Sequence, residues 1–202
     1  MEADKIGRRR GVRLEDAILD AAWAELAERG YPGLTQEGVA QRAGTSRPVL
    51  SRRWPSRTAL AMAALARHLA QNPIVVPDLG SVRDELCLLL RRMSDRARPD
   101  MIRLVFDMQT DLADKRSSLA EMRAHLRAQT VEPDVMQTIL ARATDRGDIA
   151  ADRLTPRIVA LPTDLARHEA LMTFAPLSDE AIREIVDEVF LPLVRPGERT
   201  LK

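Results

Sequence analysis

The sequence predicts an all-α protein, an N-terminal three-helix head joined to a larger C-terminal helical bundle body, with about nine helices in all. Three observations predict it. Aromatic residues make up only 3% of the 202 residues, while Ala, Leu, Arg, Glu and Asp abound, which favours helix over sheet. Apolar residues recur three and four apart behind residues that can cap a helix. No alternating β-branched stretch bounded by turn signals stands out.

Residues 1–11 are polar, carry Arg8, Arg9 and Arg10, and read as a flexible basic arm. The first helix is expected from Leu14 to Arg29, with Ile18, Ala21, Ala22 and Leu26 as its apolar stripe and Gly30 as its stop. Tyr31, Pro32 and Gly33 connect it onward, Tyr31 as a core plug. Thr35 can cap a short second helix in which Val39, Ala40 and Ala43 share a face. Gly44 supplies a sharp turn, because a residue without Cβ tolerates positive φ. Ser46 can cap the third helix, and Pro48 fits its first turn, where amides have no intrahelical partner.

In that third helix Leu50 and Trp54 are four apart and face inward. Arg47, Pro48, Ser51, Arg52 and Arg53 lie on or beside the opposite face. Between Arg42 and Arg57 there are five arginines and no acid, although the net charge of the whole chain is only +1. Residues 1–60 hold eleven basic and eight acidic side chains; the remainder holds twenty and twenty-two. A local cationic patch on a near-neutral protein suits a phosphate backbone on one side. Two helices at a Gly turn, the second cationic, are what a helix-turn-helix needs to enter a DNA major groove. The basic arm is then either a solubilising tail or a reach toward phosphates or a minor groove.

Ser56 caps a fourth helix to about Leu69, with Ala61, Leu65 and Leu69 at spacings of four. NPIVVPD, flanked by prolines, breaks the chain and is no strand. Ser81-x-x-Asp84 is a capping signature before Leu86, Leu89, Leu90 and Met93. Pro99 opens a helix with Ile102, Val105, Phe106, Met108 and Leu112; Leu119, Met122 and Leu126 suggest another. Val135, Ile139, Leu140 and Ala143 mark the next, stopped at Arg146-Gly147-Asp148. Thr155-Pro156 starts a helix in which Pro162 predicts a kink or restart. The final helix, Ser178 to Leu193, has the stripe Ile182, Ile185, Val186, Val189 and Leu193, with Pro192 and Pro196 bounding its end.

ILDAAWAELAERGYPGLTQEGVAQRAGTSRPVLSRRWPSRTAL resembles the N-terminal domain of the tetracycline-repressor (TetR) family of bacterial regulators. The resemblance rests on the Ile-Leu-x-Ala-Ala start, Gly30-Tyr31, Leu34-Thr35, Val39-Ala40, Ala43-Gly44, Leu50, Trp54-Pro55-Ser56 and Leu60. Ser51 stands where the family often has Tyr, and Arg57 where it often has Lys. The resemblance implies that Arg47, Pro48, Val49, Ser51 and Arg53 face the groove, while Thr35, Gln36, Arg52 and Arg57 hold phosphates. It divides the chain into the arm, a DNA-binding head over 12–58, and a ligand-binding and dimerisation domain over 59–202 with the fourth helix as connector.

It also implies pairing of two copies through the last two long helices, for which Leu165, Met172, Ile182, Ile185, Val189 and Leu193 are the candidates. A small hydrophobic effector is expected in the body, whose methionines adapt to irregular apolar shapes. Cys87, Met93, Met101, Phe106, Met108, Met122 and Met136 are the candidate lining.

Enzymatic signatures are absent from the sequence. His68, His125 and His168 are isolated, and His168-Glu169 lacks the second histidine of a metalloprotease helix. A single cysteine excludes a cysteine-rich zinc site, so neither metal nor cofactor is expected. No apolar run reaches membrane-span length. Arg8-Arg9-Arg10 matches the start of a twin-arginine export signal, but the charges in GVRLEDAILD exclude its apolar core, and a cytoplasmic protein is expected. The reading is a dimeric transcription repressor on a near-palindromic double-stranded operator, released by an effector. A regulator without a ligand and a scaffold-only interaction module are the alternatives.

Overall fold

The computed structural model describes residues 2–97, 99–113 and 135–196, and side chains at 13–97, 99–108, 111 and 135–196. Among the described residues there is helix and no strand. The chain divides into two compact units, residues 1–73 with 103–132, and residues 74–102 with 133–202. The fourth helix therefore groups with the head, whereas the sequence reading cuts the chain at residue 58.

In the first unit, α1 spans Glu2–Gly33 with a break at Gly30, whose φ of 65° and ψ of −178° leave helical geometry. Its start lies well before Leu14, because residues 2–13 hold mostly helix formers and no proline. Gly30 still terminates the regular turn, as a residue free to take positive φ. Ile18, Ala21, Ala22 and Leu26 are all buried, as their spacing requires.

The next elements are α2 (Gln36–Arg42), α3 (Arg47–Arg53) and α4 (Arg57–Gln71). Helix α4 packs along α1. Trp23 and His68 stack with ring centres 3.8 Å apart, and Arg67 reaches Asp16 at 2.6 Å and Asp20 at 2.7 Å. Two of the three caps are made by side chains: Thr35 Oγ1 accepts from the Gly38 amide at 3.0 Å, and Ser56 Oγ from Ala59 at 3.0 Å. Ser46 has the backbone of an N-cap but no hydroxyl bond, so its place before α3 is fixed by the turn.

The second unit holds α5 (Val82–Arg96), α7 (Val135–Arg146) and α8 (Pro156–Thr173). Helix α6 (Pro99–Ala113) gives its first residues to this unit and the rest to the first. Leu86, Leu89, Leu90, Met136, Ile139, Leu140, Ala166, Ala170, Val186 and Phe190 lie in one apolar core. Glu85 is buried within it, with Arg146 Nη2 at 3.0 Å and Arg142 Nη1 at 3.4 Å. The segment Leu119–Leu126, where the sequence suggests a helix, lies outside the described residues.

Of the kink or restart expected at Pro162, the restart is not found: helix α8 is one element over Pro156–Thr173, and the Thr163 hydroxyl donates to the Ala160 carbonyl at 3.0 Å. The last rod is not a uniform α-helix. It runs as α9 (Asp179–Arg183), then a π-helix over Glu184–Phe190, then α10 (Leu191–Val194). Pro192 lies inside it, not at its end; its ring crowds the carbonyl four residues back, which favours the wider turn. Along this rod Ile182, Ile185, Val186, Phe190 and Val194 are buried, while Val189 and Leu193 are exposed.

Candidate nucleic-acid interface

The α2–α3 pair is built on three local features. Gly44, with φ of 63°, turns the chain between the helices, and no atom within 4 Å crowds its would-be Cβ, so the requirement is conformational. Leu50 is fully buried and Trp54 nearly so, and both anchor α3 from behind. Gln36 ties the two helices: its Nε2 donates to the Trp54 carbonyl at 2.8 Å, and its Oε1 lies 3.0 Å from Ser51 Oγ. Ser51 Oγ is also 2.9 Å from the Arg47 carbonyl, and its one proton serves one acceptor at a time.

With its inner face fixed, α3 turns Arg47, Pro48, Arg52 and Arg53 outward, and Val49 and Ser51 are half-buried beside them. Of the five residues implied to face the groove, Arg47, Pro48 and Arg53 are exposed and Val49 and Ser51 are half-buried. Thr35 and Gln36 sit at the start of α2, where the Thr35 hydroxyl is engaged as cap and the Gln36 amide in the inter-helix ties.

The arginine cluster is not as free as the acid-free segment suggests. Arg47 Nη1 lies 2.9 Å from Glu37 Oε1 on α2, and Arg53 pairs with Glu15 on α1. Arg42 pairs with Glu25 at 3.0 Å and with Glu28 at 2.5 Å. Arg57 Nη2 donates to Asp111 on α6 at 2.8 Å. Arg52 is exposed and has no ion pair among the described residues.

Two of these acids are engaged more than once, Glu25 nearly buried and Asp111 with its side chain 38% exposed. Glu25 has a side chain only 3% exposed; its ion pair with Arg42 at 3.0 Å ties α2 to α1, and Arg29 of α1 lies 3.1 Å from its other oxygen. Its Oε2 also lies 3.3 Å from the position a Cβ on Gly38 would take, so this point of α2 sits directly on the carboxylate. Asp111 accepts from the Tyr31 hydroxyl at 2.6 Å as well as from Arg57, and Tyr31 Oη also meets Thr58 Oγ1 at 2.8 Å. The Arg57 guanidinium lies 4.4 Å over the Tyr31 ring. Burial, then the adjacent Asp111, pushes the Tyr31 phenol up; the Tyr31 hydroxyl and Arg57 hold Asp111 below the usual carboxylate range.

Tyr31 is thus the core plug the sequence suggests, with a polar end whose partner no local pattern could indicate. Asp111 lies 80 positions along the chain from it, and no local pattern links them.

The candidate ligand residues separate. Met136 is buried in the core of the second unit, where Cys87 and Met93 pack against it and Met101 is half-buried. Burial pushes the Cys87 thiol up. Met108 is buried and Phe106 exposed in the first unit; Met122 lies outside the described residues. A cleft of about 300 Å³ is lined by Arg83, Glu180, Arg183, Glu184, Asp187 and Glu188, none of them in the expected lining.

The candidate pairing residues divide by burial. Ile182 and Ile185 are buried in the chain's own core. Met172, Val189 and Leu193 are exposed, and Leu165 packs partly against the core. Among the described residues no group of His, Cys, Asp or Glu converges as metal ligands, and no helix is long and apolar enough to cross a membrane.

Comparison with known proteins matches this arrangement. Residues 18–64 match the family described as bacterial regulatory proteins, tetR family, and residues 76–189 match the tetracyclin repressor-like C-terminal domain. A DNA-binding transcriptional repressor TetR of Mycobacteroides abscessus is 30% identical over 197 residues, which cover 94% of this chain and 98% of that protein. An HTH-type transcriptional regulator of Mycobacterium bovis is 28% identical over 184 residues, 88% of this chain and 86% of its own. In fold, the chain is similar to a solved TetR-family transcriptional regulator from Mesorhizobium loti, with a TM-score of 0.58 at 18% identity over 93% of this chain and 99% of that one. The TetR family transcription regulator SCO0332 gives 0.63 at 23% identity, over 91% and 99%.

Proposed function

The chain belongs to the tetR family of bacterial regulatory proteins, and from that we infer that it is a DNA-binding transcription repressor acting as a homodimer on a near-palindromic operator. The observation that carries the reading is the outward face of α3. Arg47, Arg52 and Arg53 project from a helix whose inner side is anchored by buried Leu50 and Trp54. A guanidinium fork suits guanine edges in the major groove as well as phosphates.

Pairing of two copies is supported by Met172, Val189 and Leu193, apolar side chains left exposed near the end of α8 and on the last rod. Two heads related by a two-fold axis read two half-sites one helical turn apart. Release by a small hydrophobic effector is supported by family membership and by the joining of α6 to the head through Asp111, Arg57 and Tyr31. The effector must bind the DNA-free conformation more tightly, since equal affinity for both states shifts nothing.

Selection of bound sequences from random duplex DNA, followed by anisotropy titration of the winning site, tests the reading. A two-fold-symmetric sequence is expected, bound with an affinity that falls steeply with salt. Arg47→Ala and Arg53→Ala should each cost on the order of 1–3 kcal/mol if the residue reads a base. Unchanged affinity in both variants removes these residues from the interface; no enrichment of any sequence overturns the reading.

A further inference from the structure

Two arginines on the outward face of α3 are already held by carboxylates from other helices. Arg47 pairs with Glu37 of α2 across the turn, and Arg53 at the end of α3 pairs with Glu15 of α1. All four side chains are well exposed, at 63%, 62%, 45% and 42%. They therefore lie on the surface offered to DNA, and exposed pairs of this kind contribute little to holding a fold together. Glu25, by contrast, is a buried carboxylate that does brace the head. What Glu15 and Glu37 do by position is occupy guanidinium groups that a duplex must also use.

We propose that Glu15 and Glu37 are intramolecular competitors of DNA, lowering the head's affinity for any duplex and flattening its salt dependence. The proposal rests on the DNA-binding reading above. The electrostatics run as follows in the free and bound states. In the free head each pair is locally neutral and attracts few counterions. On binding, the arginine passes to the nucleic acid and the carboxylate is left to recruit a cation. One counterion is released from the DNA and one is taken up by the protein, so the net release per arginine falls. A Gln in place of Glu removes the uptake and leaves the arginine free.

The test is a set of anisotropy titrations over a range of salt, on a random-sequence duplex and on the selected operator. The variants are Glu15→Gln, Glu37→Gln, the double variant, and each Gln variant combined with Arg53→Ala or Arg47→Ala respectively. Each single Gln variant is expected to bind both duplexes about two- to five-fold tighter at low salt. The slope of log affinity against log salt should steepen by up to about 0.9 for each arginine freed. The gain should be smaller when the paired arginine is Ala, because only the carboxylate's repulsion of phosphates is then removed and no guanidinium is released.

Glu37 is also in the first turn of α2, where an acid stabilises the helix start, so thermal unfolding of each variant is followed in parallel. Glu15 is not in such a place and provides the independent case. Affinity and slope equal to those of the parent protein in both single variants overturn the proposal. So does a gain that is undiminished in the Arg→Ala backgrounds, which would make the effect a general repulsion of phosphates. A parent protein that binds no duplex at any salt instead overturns the DNA-binding reading itself.

Discussion

Arg57 and Asp111 stand 54 positions apart in the chain and 2.8 Å apart in space, the guanidinium donating to the carboxylate that also receives the Tyr31 hydroxyl. This contact joins the start of α4, immediately after the outward-facing helix, to α6. The Asp111 carboxyl is lowered from 3.8 by the Tyr31 hydrogen bond first and by Arg57 second. A lowered acid contributes stability that is present above its unfolded pKa and is lost as pH falls through the folded one. Asp111→Asn should therefore reduce stability at neutral pH, and the gap between variant and parent should close as acid takes the pH below 3.8 and through the lowered value. Urea midpoints measured from neutral to acid pH check it; a gap that stays constant would show that Asp111 does not titrate as a partner of Arg57.

Gly38 gives a prediction of opposite sign to the usual one. Replacing a helical glycine by alanine normally stabilises by about 0.5–1 kcal/mol. Here the new Cβ would stand 3.1 Å from Thr35 Oγ1, the N-cap of α2, and 3.3 Å from Glu25 Oε2. Either the cap or the buried carboxylate must give way. Gly38→Ala is expected to leave stability unchanged or lower it, as read by thermal unfolding; a rise of the ordinary size would mean that the two oxygens move aside freely.

Glu25 is the one nearly buried acid of the α1–α2 contact. Removing one partner of a buried pair typically costs about 3–5 kcal/mol, and because Arg42 is itself one-third exposed the expected loss is nearer 1–3. Glu25→Ala should lower the urea midpoint accordingly and weaken DNA binding in parallel, since α2 supports α3 through Gln36. Arg42→Ala, which leaves the carboxylate buried with Arg29 alone, should cost at least as much as loss of the exposed Arg42–Glu28 pair by Glu28→Gln.

The proposed pairing surface separates from the core by substitution. Val189→Glu and Leu193→Glu place a charge on exposed positions and are expected to yield folded monomers in light scattering after size exclusion. Ile185→Glu places it among buried side chains and should unfold the second unit. A dimer that survives both exposed substitutions would exclude this face.

The head was readable because its signals are local. Ile18, Ala22 and Leu26 along α1, Leu50 and Trp54 along α3, and the Thr35 and Ser56 caps all depend on neighbours within one or two turns. The last rod was legible only in part. Its apolar stripe was visible, but the π-helical turns before Pro192 and the burial of Phe190 and Val194 carry no local signal in the spacing. The pocket residues were chosen for side-chain type alone, which carries no information on the unit each belongs to: Met108 falls in the first and Met136 in the second.

The sequence by itself determined the all-α class, the order of the head helices and the positions of α2, α3 and the start of α4, because periodicity and capping act over a few residues. Only the tertiary structure decided what the arginines of the head meet. The stretch from Arg42 to Arg57 contains no acid, yet folding brings Glu37, Glu15, Glu25 and Asp111 to its guanidinium groups from other helices. Charge along a chain adds up in sequence order, whereas Coulomb attraction falls with distance through space, and chain folding sets that distance.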